Sequence, residues 1–300
     1  MKNRLMLLSI LLVCSLANPT LAQDSSLPAV TISNSFVHYL QDDSINQRFK
    51  IDVVLPTGYD GSTDKYPVVY ATDGNLMSQL IAPNLTLLQL GQEIPAIILV
   101  GIGYDTNNVM EIGTLRTREL TPTKDAQWLQ RQSQSIPEHL HPGKAENFLT
   151  FIDQQVKPLI NKHYRTDPSD QTLVGYSLGG LFGLYTLFNH TNSFDRYVIG
   201  SPSIWWDNAL VLQHEENYAA NNKDLAKHVF LSIGELEQPA GSDSQMVTHV
   251  NLMNERLNSR KYPGLVLEHV VFSGENHMSG IAASMVRGLR SVFKKSNSQG

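Results

Sequence analysis

The stretch Leu173-Val174-Gly175-Tyr176-Ser177-Leu178-Gly179-Gly180 decides the fold. The short run Thr172 to Val174 enters it, and an apolar-periodic segment beginning Leu178, Leu181, Phe182, Leu184 leaves it. Gly175 to Gly179 therefore matches G-x-S-x-G with a strand before and a helix after, the context that gives the motif its meaning. A strand turning abruptly into a helix strains the backbone of its central residue. Flanking glycines then let neighbouring chain pass close without a Cβ clash. The Ser177 hydroxyl would stand at the end of a sheet, above a helix N-terminus whose free N–H groups favour developing negative charge. The plain alternative is a Gly/Ser turn, and the strand and helix on either side weigh against it. Ser177 is the candidate nucleophile.

Outward from this elbow, Arg196 to Gly200, Val229 to Gly234 and Leu265 to Phe272 read as short strands. Helical patterns accompany them at Asp207 to Asn222, Ser242 to Leu257 and Met278 to Lys294. Upstream, Pro67 to Ala71 and Ile94 to Val100 are unbroken apolar runs that suit strands buried on two faces of a parallel sheet. Leu76 to Leu90 between them is helical in pattern, interrupted near Pro83. Ala145 to Tyr164 has helical spacing in Phe148, Phe151, Ile152, Val156, Leu159 and Ile160. Ala29 to Leu40 and Gln47 to Leu55 alternate apolar with polar residues and predict a starting antiparallel pair, closed by the turn Pro56 to Gly61. This alternation of strands and helices predicts a doubly wound, mostly parallel sheet with helices on both faces. With the serine on a mid-chain elbow, the order is that of an α/β-hydrolase. Gly103 to Gly143 breaks the rhythm, and a structureless insertion of that length suggests a substrate-binding flap.

A serine needs a base within hydrogen-bond reach, and in this fold the partners follow in the order serine, acid, histidine. His190 and His214 lie within or just after helical patterns, His228 precedes a strand, His249 falls mid-helix and His269 lies inside a strand. Only His277 directly follows the last strand, in Ser273-Gly274-Glu275-Asn276-His277. That places it at the same sheet edge as the elbow, as candidate base. The acid should follow the preceding strand, where Gly234-Glu235-Leu236-Glu237 offers two glutamates. Glu237 lies further beyond the strand end and is preferred to Glu235, with a Ser-His dyad as the alternative. An oxyanion hole needs two backbone N–H groups. Leu178 supplies one, and the other is expected from Asn75, with Gly74 second, on the loop after Ala71.

The chain has 300 residues, a length compatible with one large α/β domain. Lys2 and Arg4, the apolar run Leu5 to Ala17 and Thr20-Leu21-Ala22 form the pattern of a cleavable signal peptide at 1–22, leaving an α/β-hydrolase domain at 23–300. The apolar run is too short for a membrane span, and Val13 before Cys14 argues against a lipid anchor. Cys14 is the only cysteine, so the mature chain could form no disulfide. A periplasmic or secreted location is expected. Removing Lys2 and Arg4 takes the net charge from −5 to −7, which argues against a nucleic-acid partner. The sequence holds no cofactor motif, and Glu138-His139-Leu140-His141 lacks a third ligand at metal spacing. Oligomeric state stays open.

Several segments together resemble the putative esterase family of α/β-hydrolases, which includes S-formylglutathione hydrolases, feruloyl esterases, mycolyltransferases and enterobactin-type siderophore esterases. They are Tyr70 to Asn75, Gly175 to Gly180, Ser201-Pro202-Ser203-Ile204-Trp205-Trp206, Gly234 to Glu237 and Gly274 to His277. Arg116 to Pro122 and the paired tryptophans make the chain most similar to the periplasmic trilactone hydrolases. The resemblance implies Ser177 as nucleophile, His277 as base, and Asn75 and Leu178 N–H groups as the oxyanion hole. Glu237 is a divided inference: some siderophore esterases of this type work without a third member, while mycolyltransferase-like members use a glutamate. Arg116 and Arg118 could hold anionic or catecholate oxygens, and Trp205 or Trp206 could stack on aromatic rings. Equally, the arginines could pair with Glu119 and neighbours, and a tryptophan could pack in the core. The expected activity is hydrolysis of a small-molecule ester through an acyl-enzyme on Ser177, the ester being a siderophore trilactone, a short-chain acyl ester or a feruloyl ester. The alternatives are acyl transfer on the same site and a non-catalytic ligand binder.

Overall fold

The structure, a computed structural model, describes residues 30–132, 136–239, 241 and 245–294. The signal peptide assigned to 1–22 lies outside the described residues, as do Ala29 and Ser242 at the starts of two expected elements. Among the described residues eight strands form one sheet: β1 (Ser35–Asp42), β2 (Gln47–Val54), β3 (Tyr66–Ala71), β4 (Ile98–Tyr104), β5 (Thr166–Tyr176), β6 (Arg196–Gly200), β7 (His228–Gly234) and β8 (Val266–Phe272). Their spatial order is β1-β2-β4-β3-β5-β6-β7-β8. β1 pairs antiparallel with β2, Ser35 opposite Val54, and β2 pairs antiparallel with β4. All other neighbours are parallel. The chain thus has the α/β-hydrolase architecture expected of it, opening with the antiparallel strands.

Side chains alternate across the sheet and feed two separate cores. Val68, Tyr70, Val100, Leu173, Ile199 and Leu231 point to one face, while Val69, Ala71, Leu99, Val174, Val198 and Phe230 point to the other. The second face is covered by α1 (Gly74–Leu90) through Met77, Ile81 and Leu85, and by α9 (Gly280–Val292) through Ile281, Met285 and Leu289. The first is covered by α4 (Ala145–Phe151), α5 (Lys157–His163), α6 (Leu178–Asn189), α7 (Trp206–Asn221) and α8 (Met246–Arg260). Burying each such aliphatic or aromatic side chain contributes about 1.5–3 kcal/mol. Both faces need this cover because the central strands β3, β4 and β6 and the end of β5 bury apolar side chains on each side.

The structure corrects three sequence expectations. α1 runs unbroken through Pro83. Pro83 and Gln79 both lie on the exposed face, so the Gln79 carbonyl that loses its donor faces solvent instead of the core. The expected helix Ala145 to Tyr164 contains a π turn at Ile152–Val156, just before Pro158, which has no N–H to donate. Gly103 to Gly143 is not structureless. It contains the end of β4, then α2 (Val109–Leu120), α3 (Ala126–Gln130) and a 3-10 turn at Glu138–Leu140. Asn108 caps α2 by accepting the N–H groups of Met110 and Glu111, and Asp125 caps α3 by accepting that of Trp128. α2 escaped the apolar-period reading because its buried side is largely polar: Thr117, Arg118 and Glu119 are buried beside Leu115 and Leu120.

Candidate active site

β5 ends at Tyr176 and α6 begins at Leu178, so Ser177 is the whole turn between them. It takes φ 59° and ψ −118°, a conformation that a non-glycine residue holds only where its surroundings over-determine it. They do so here: Ser177 N–H donates to the Gly200 carbonyl at 3.0 Å, and its own carbonyl accepts from Ser203 N–H at 3.1 Å. A Cβ on Gly175 would lie 2.1 Å from the Gly179 carbonyl oxygen, and one on Gly179 would lie 2.3 Å from Thr72 Oγ1. The two glycines thus permit the sharp turn and its close approach to the β3–α1 loop.

Glu237 and His277 come from the turns after β7 and β8, at the carboxyl edge of the parallel strands, where Ser177 also stands. His277 Nδ1 lies 2.5 Å from Glu237 Oε2. The other carboxylate oxygen accepts Gly234 N–H at 2.9 Å and lies 2.6 Å from Ser201 Oγ. Burial works to raise the Glu237 pKa, but the hydrogen bonds from His277, Ser201 and Gly234 outweigh it and hold the group below the usual glutamate value. The carboxylate is therefore ionised at neutral pH and can only accept. This assigns the proton to His277 Nδ1 and leaves Nε2 open for proton abstraction. The His277 ring packs on Tyr176, beside Ser177, with centroids 5.2 Å apart. Glu235 has a different place. It is exposed and accepts from Ser273 Oγ at 2.6 Å and Gly274 N–H at 2.8 Å, bracing the loop that carries His277.

Leu178 and Asn75 lie in the first turns of α6 and α1, where a helix supplies no acceptor for its own N–H groups. Asn75 is locked from behind: its Oδ1 accepts Tyr104 N–H at 2.7 Å, and its Nδ2 donates to the carbonyls of Tyr104 and Thr106. Gly74 packs directly on the backbone of Gly101 and Ile102, where a Cβ would clash.

The four side chains considered for substrate binding are divided by the structure. Arg116 forms a two-pronged pair with Asp73, Nε to Oδ1 at 2.7 Å and Nη2 to Oδ2 at 2.9 Å. Arg118 is 2% exposed and engaged with Glu119, Gln47 and the His139 carbonyl, so its guanidinium already has partners within the protein. Trp206, 1% exposed, is a core residue packed between Trp205 and Trp128 with the rings tilted by 49° and 45°, and its Nε1–H donates to the Thr123 carbonyl. Of the pair, only Trp205 keeps an exposed face. The β1–β2 turn, one side of α2 and the 3-10 turn also enclose a cleft of about 560 Å³ that Arg118, Gln47 and His139 line.

Two further residues emerge at the site. Ser203 Oγ is 3.3 Å from Ser177 Oγ, and Ser201 joins Glu237 to the Tyr176 hydroxyl. Both follow β6, the strand adjoining β5, so the rule placing sites at the carboxyl edge would have flagged that loop. Asp73, which holds Arg116, precedes the predicted Gly74 and Asn75.

The sequence matches the "Putative esterase" family over residues 43–290. The chain belongs to this family. It is 32% identical over 272 residues to the ferri-bacillibactin esterase BesA of Bacillus subtilis (strain 168), covering 87% of this chain and 90% of that one. Among solved structures, the BES protein from Bacillus cereus superposes with a TM-score of 0.78 at 32% identity, covering 89% of this chain and 98% of the other. An IroE-like serine hydrolase from Shewanella oneidensis gives a TM-score of 0.73 at 28% identity, covering 87% and 80%. Family membership supports ester hydrolysis as the chemistry of this protein. Among the described residues no helix is long and apolar enough to cross a membrane.

Proposed function

We propose that the protein is an exported serine esterase that opens the ester bonds of a siderophore. Ser177 Oγ attacks the ester carbonyl while His277 Nε2 takes its proton, and the N–H groups of Leu178 and Asn75 receive the oxyanion. Collapse expels the alcohol, which carries off the proton from His277, and leaves an acyl group on Ser177. Water then repeats the sequence with His277 again as base, releasing the acid. Glu237 holds the imidazole and stabilises its charge between the two proton transfers. The single observation carrying this reading is the 2.5 Å contact of His277 Nδ1 with an ionised Glu237, at the sheet edge that also bears the strained Ser177.

The siderophore substrate is drawn from the name of the Bacillus subtilis relative, which is a ferri-bacillibactin esterase. Trp205, half-exposed after β6, is the aromatic surface offered to a catechol-type ring. Export rests on Lys2, Arg4, the apolar run to Ala17 and the small residues to Ala22. N-terminal sequencing of the exported protein should begin at Gln23, and a start at Met1 would refute the cleavage.

Hydrolysis of p-nitrophenyl butyrate and of a catecholate trilactone tests the activity. Ser177→Ala and His277→Ala should each lower kcat on the order of 10⁴-fold or more. Turnover persisting in either variant would remove that residue from the chemistry. Ligand retained by the wild type without turnover would instead indicate a binding protein.

A further inference from the structure

The Asp73–Arg116 pair lies beside the loop that offers the Asn75 N–H, and it connects that loop to α2. We propose that Arg116 is a positioning residue: it acts through Asp73 to hold the oxyanion loop and to cancel its charge, rather than by grasping substrate. This rests on the esterase reading above.

Three observations carry it. Both oxygens of the Asp73 carboxylate and two nitrogens of the Arg116 fork are spent on one another, a geometry that fixes orientation as well as distance. Asp73 adopts left-handed φ 56°, ψ 40°, immediately before Gly74 and Asn75. Aspartate can hold this backbone more readily than most residues, and no side-chain cap bond to α1 occupies its carboxylate here. What grips the Asp73 side chain is Arg116, while the Asn75 side chain is gripped by Tyr104 and Thr106. The loop is therefore clamped at both ends from the β4–α2 segment.

Charge is the third observation. Asp73 Oδ2 lies 3.3 Å from the position a Gly179 Cβ would occupy, against the first turn of α6. That turn begins with Leu178, the other oxyanion donor. A bare carboxylate there would oppose the negative charge that forms in the reaction, at low exposure where screening is weak. Arg116 removes this penalty. Burial works against the guanidinium charge, but Asp73 more than compensates and raises the Arg116 pKa, so the guanidinium stays charged. The side chains are 23% and 10% exposed.

The test uses neutral small esters, which carry no anionic or catechol group for an arginine to hold. Wild type, Arg116→Met, Arg116→Lys, Asp73→Asn and Asp73→Asn/Arg116→Met are compared for p-nitrophenyl butyrate turnover. The rate at which a neutral fluorophosphonate labels Ser177 is read in parallel, because it needs no cognate substrate. Arg116→Met should lower kcat and the labelling rate about 10- to 100-fold with KM little changed. Arg116→Lys, which keeps the charge with fewer bonds, should recover part of the loss. The double variant should lose no more than Arg116→Met alone, because it no longer leaves a bare carboxylate. Asn tolerates the left-handed backbone, so Asp73→Asn remains informative where Arg116→Met folds poorly.

Wild-type kcat and labelling in Arg116→Met, an effect on KM alone, or losses that multiply in the double variant would overturn the inference. Ser177→Ala separates it from the esterase reading. If Ser177→Ala retains turnover, that reading fails. If Ser177→Ala is inactive while Arg116→Met behaves as wild type, only the inference fails.

Discussion

Ser177, Glu237 and His277 stand directly on turns after parallel strands, whereas Arg116, Arg118 and Trp128 sit on helices inserted between β4 and α4. The first group is held by the sheet itself. Register between β5 and β6 places Tyr176 opposite Gly200, and register between β7 and β8 places Gly234 opposite Phe272. Within one to five residues of those pairs the three candidate side chains are already in place. The inserted helices have no such ladder. Beyond Leu115 and Leu120, which reach the core, they are fastened by individual polar and aromatic contacts: Arg116 to Asp73, Arg118 to Glu119 and Gln47, and Trp128 to Trp206. Backbone register is shared over many bonds, while each of these contacts rests on a single side chain. The three candidate side chains are thus mounted on the sheet, and the inserted part is joined to it side chain by side chain.

The sharpest way to break this contrast is at the two glutamates after β7. Glu237→Gln should lower kcat about 10³- to 10⁴-fold, because the amide cannot hold the imidazolium as the carboxylate does. Glu235→Gln should cost less than about tenfold, since it weakens only exposed bonds to Ser273 and Gly274. Steady-state kinetics on one ester decides between them. Equal losses would mean that the acid is shared, and an unaffected Glu237→Gln would mean a Ser-His dyad.

A second comparison separates the two tryptophans that the sequence presents as equals. Trp206→Ala should destabilise the fold by about 3–5 kcal/mol by emptying a core position between Trp205 and Trp128. Trp205→Ala should cost about 1 kcal/mol or less in urea unfolding and show its effect in KM for aromatic esters. A Trp205 change as destabilising as that at Trp206 would erase the division between substrate-facing and core roles.

The smallest effect is on pH. His38, His214, His228, His249 and His269 are held below the ordinary pKa of 6.5, with burial the largest cause in each. They stay neutral in the fold where the unfolded chain binds protons, so their contribution is present above pH 6.5 and declines below it. Glu119, in the inserted helix, works oppositely. Burial against the pull of Arg118 pushes it up to about 7, so the folded state holds a proton that the unfolded state releases above pH 4.5. With five histidines opposing one glutamate, the melting temperature should fall by a few degrees between pH 7.5 and 5.5, roughly the shift that 1 kcal/mol produces in a domain of this size. A rise would mean that Glu119 dominates.

The same division explains what could be read from the sequence. The elbow, the order of strands and the loop histidine follow local rules, because the sheet carries short apolar runs to a common edge. Glu237 could be preferred to Glu235 by its distance from the strand end, and the geometry puts Glu237 on His277 and Glu235 on the supporting loop. α2 was not legible, since its buried face uses Arg118 and Glu119 where the helical period looks for apolar residues. Arg116 and Arg118 are two positions apart, yet their partners lie 43 residues away in one case and adjacent in the other. Spacing alone cannot distinguish such fates. The segment holding Ser203 was legible through its resemblance, but its approach to Ser177 was not, because that relation arises from the neighbouring positions of β5 and β6.

The central claim is that the strained serine is the nucleophile, activated by the histidine at the same edge. Mass-spectrometric mapping of a fluorophosphonate adduct, on wild type and on His277→Ala, tests it most directly. The account predicts a single adduct on Ser177 in the wild type, formed at least about 10³-fold more slowly in His277→Ala. No adduct on Ser177, or one formed equally fast without His277, would contradict it.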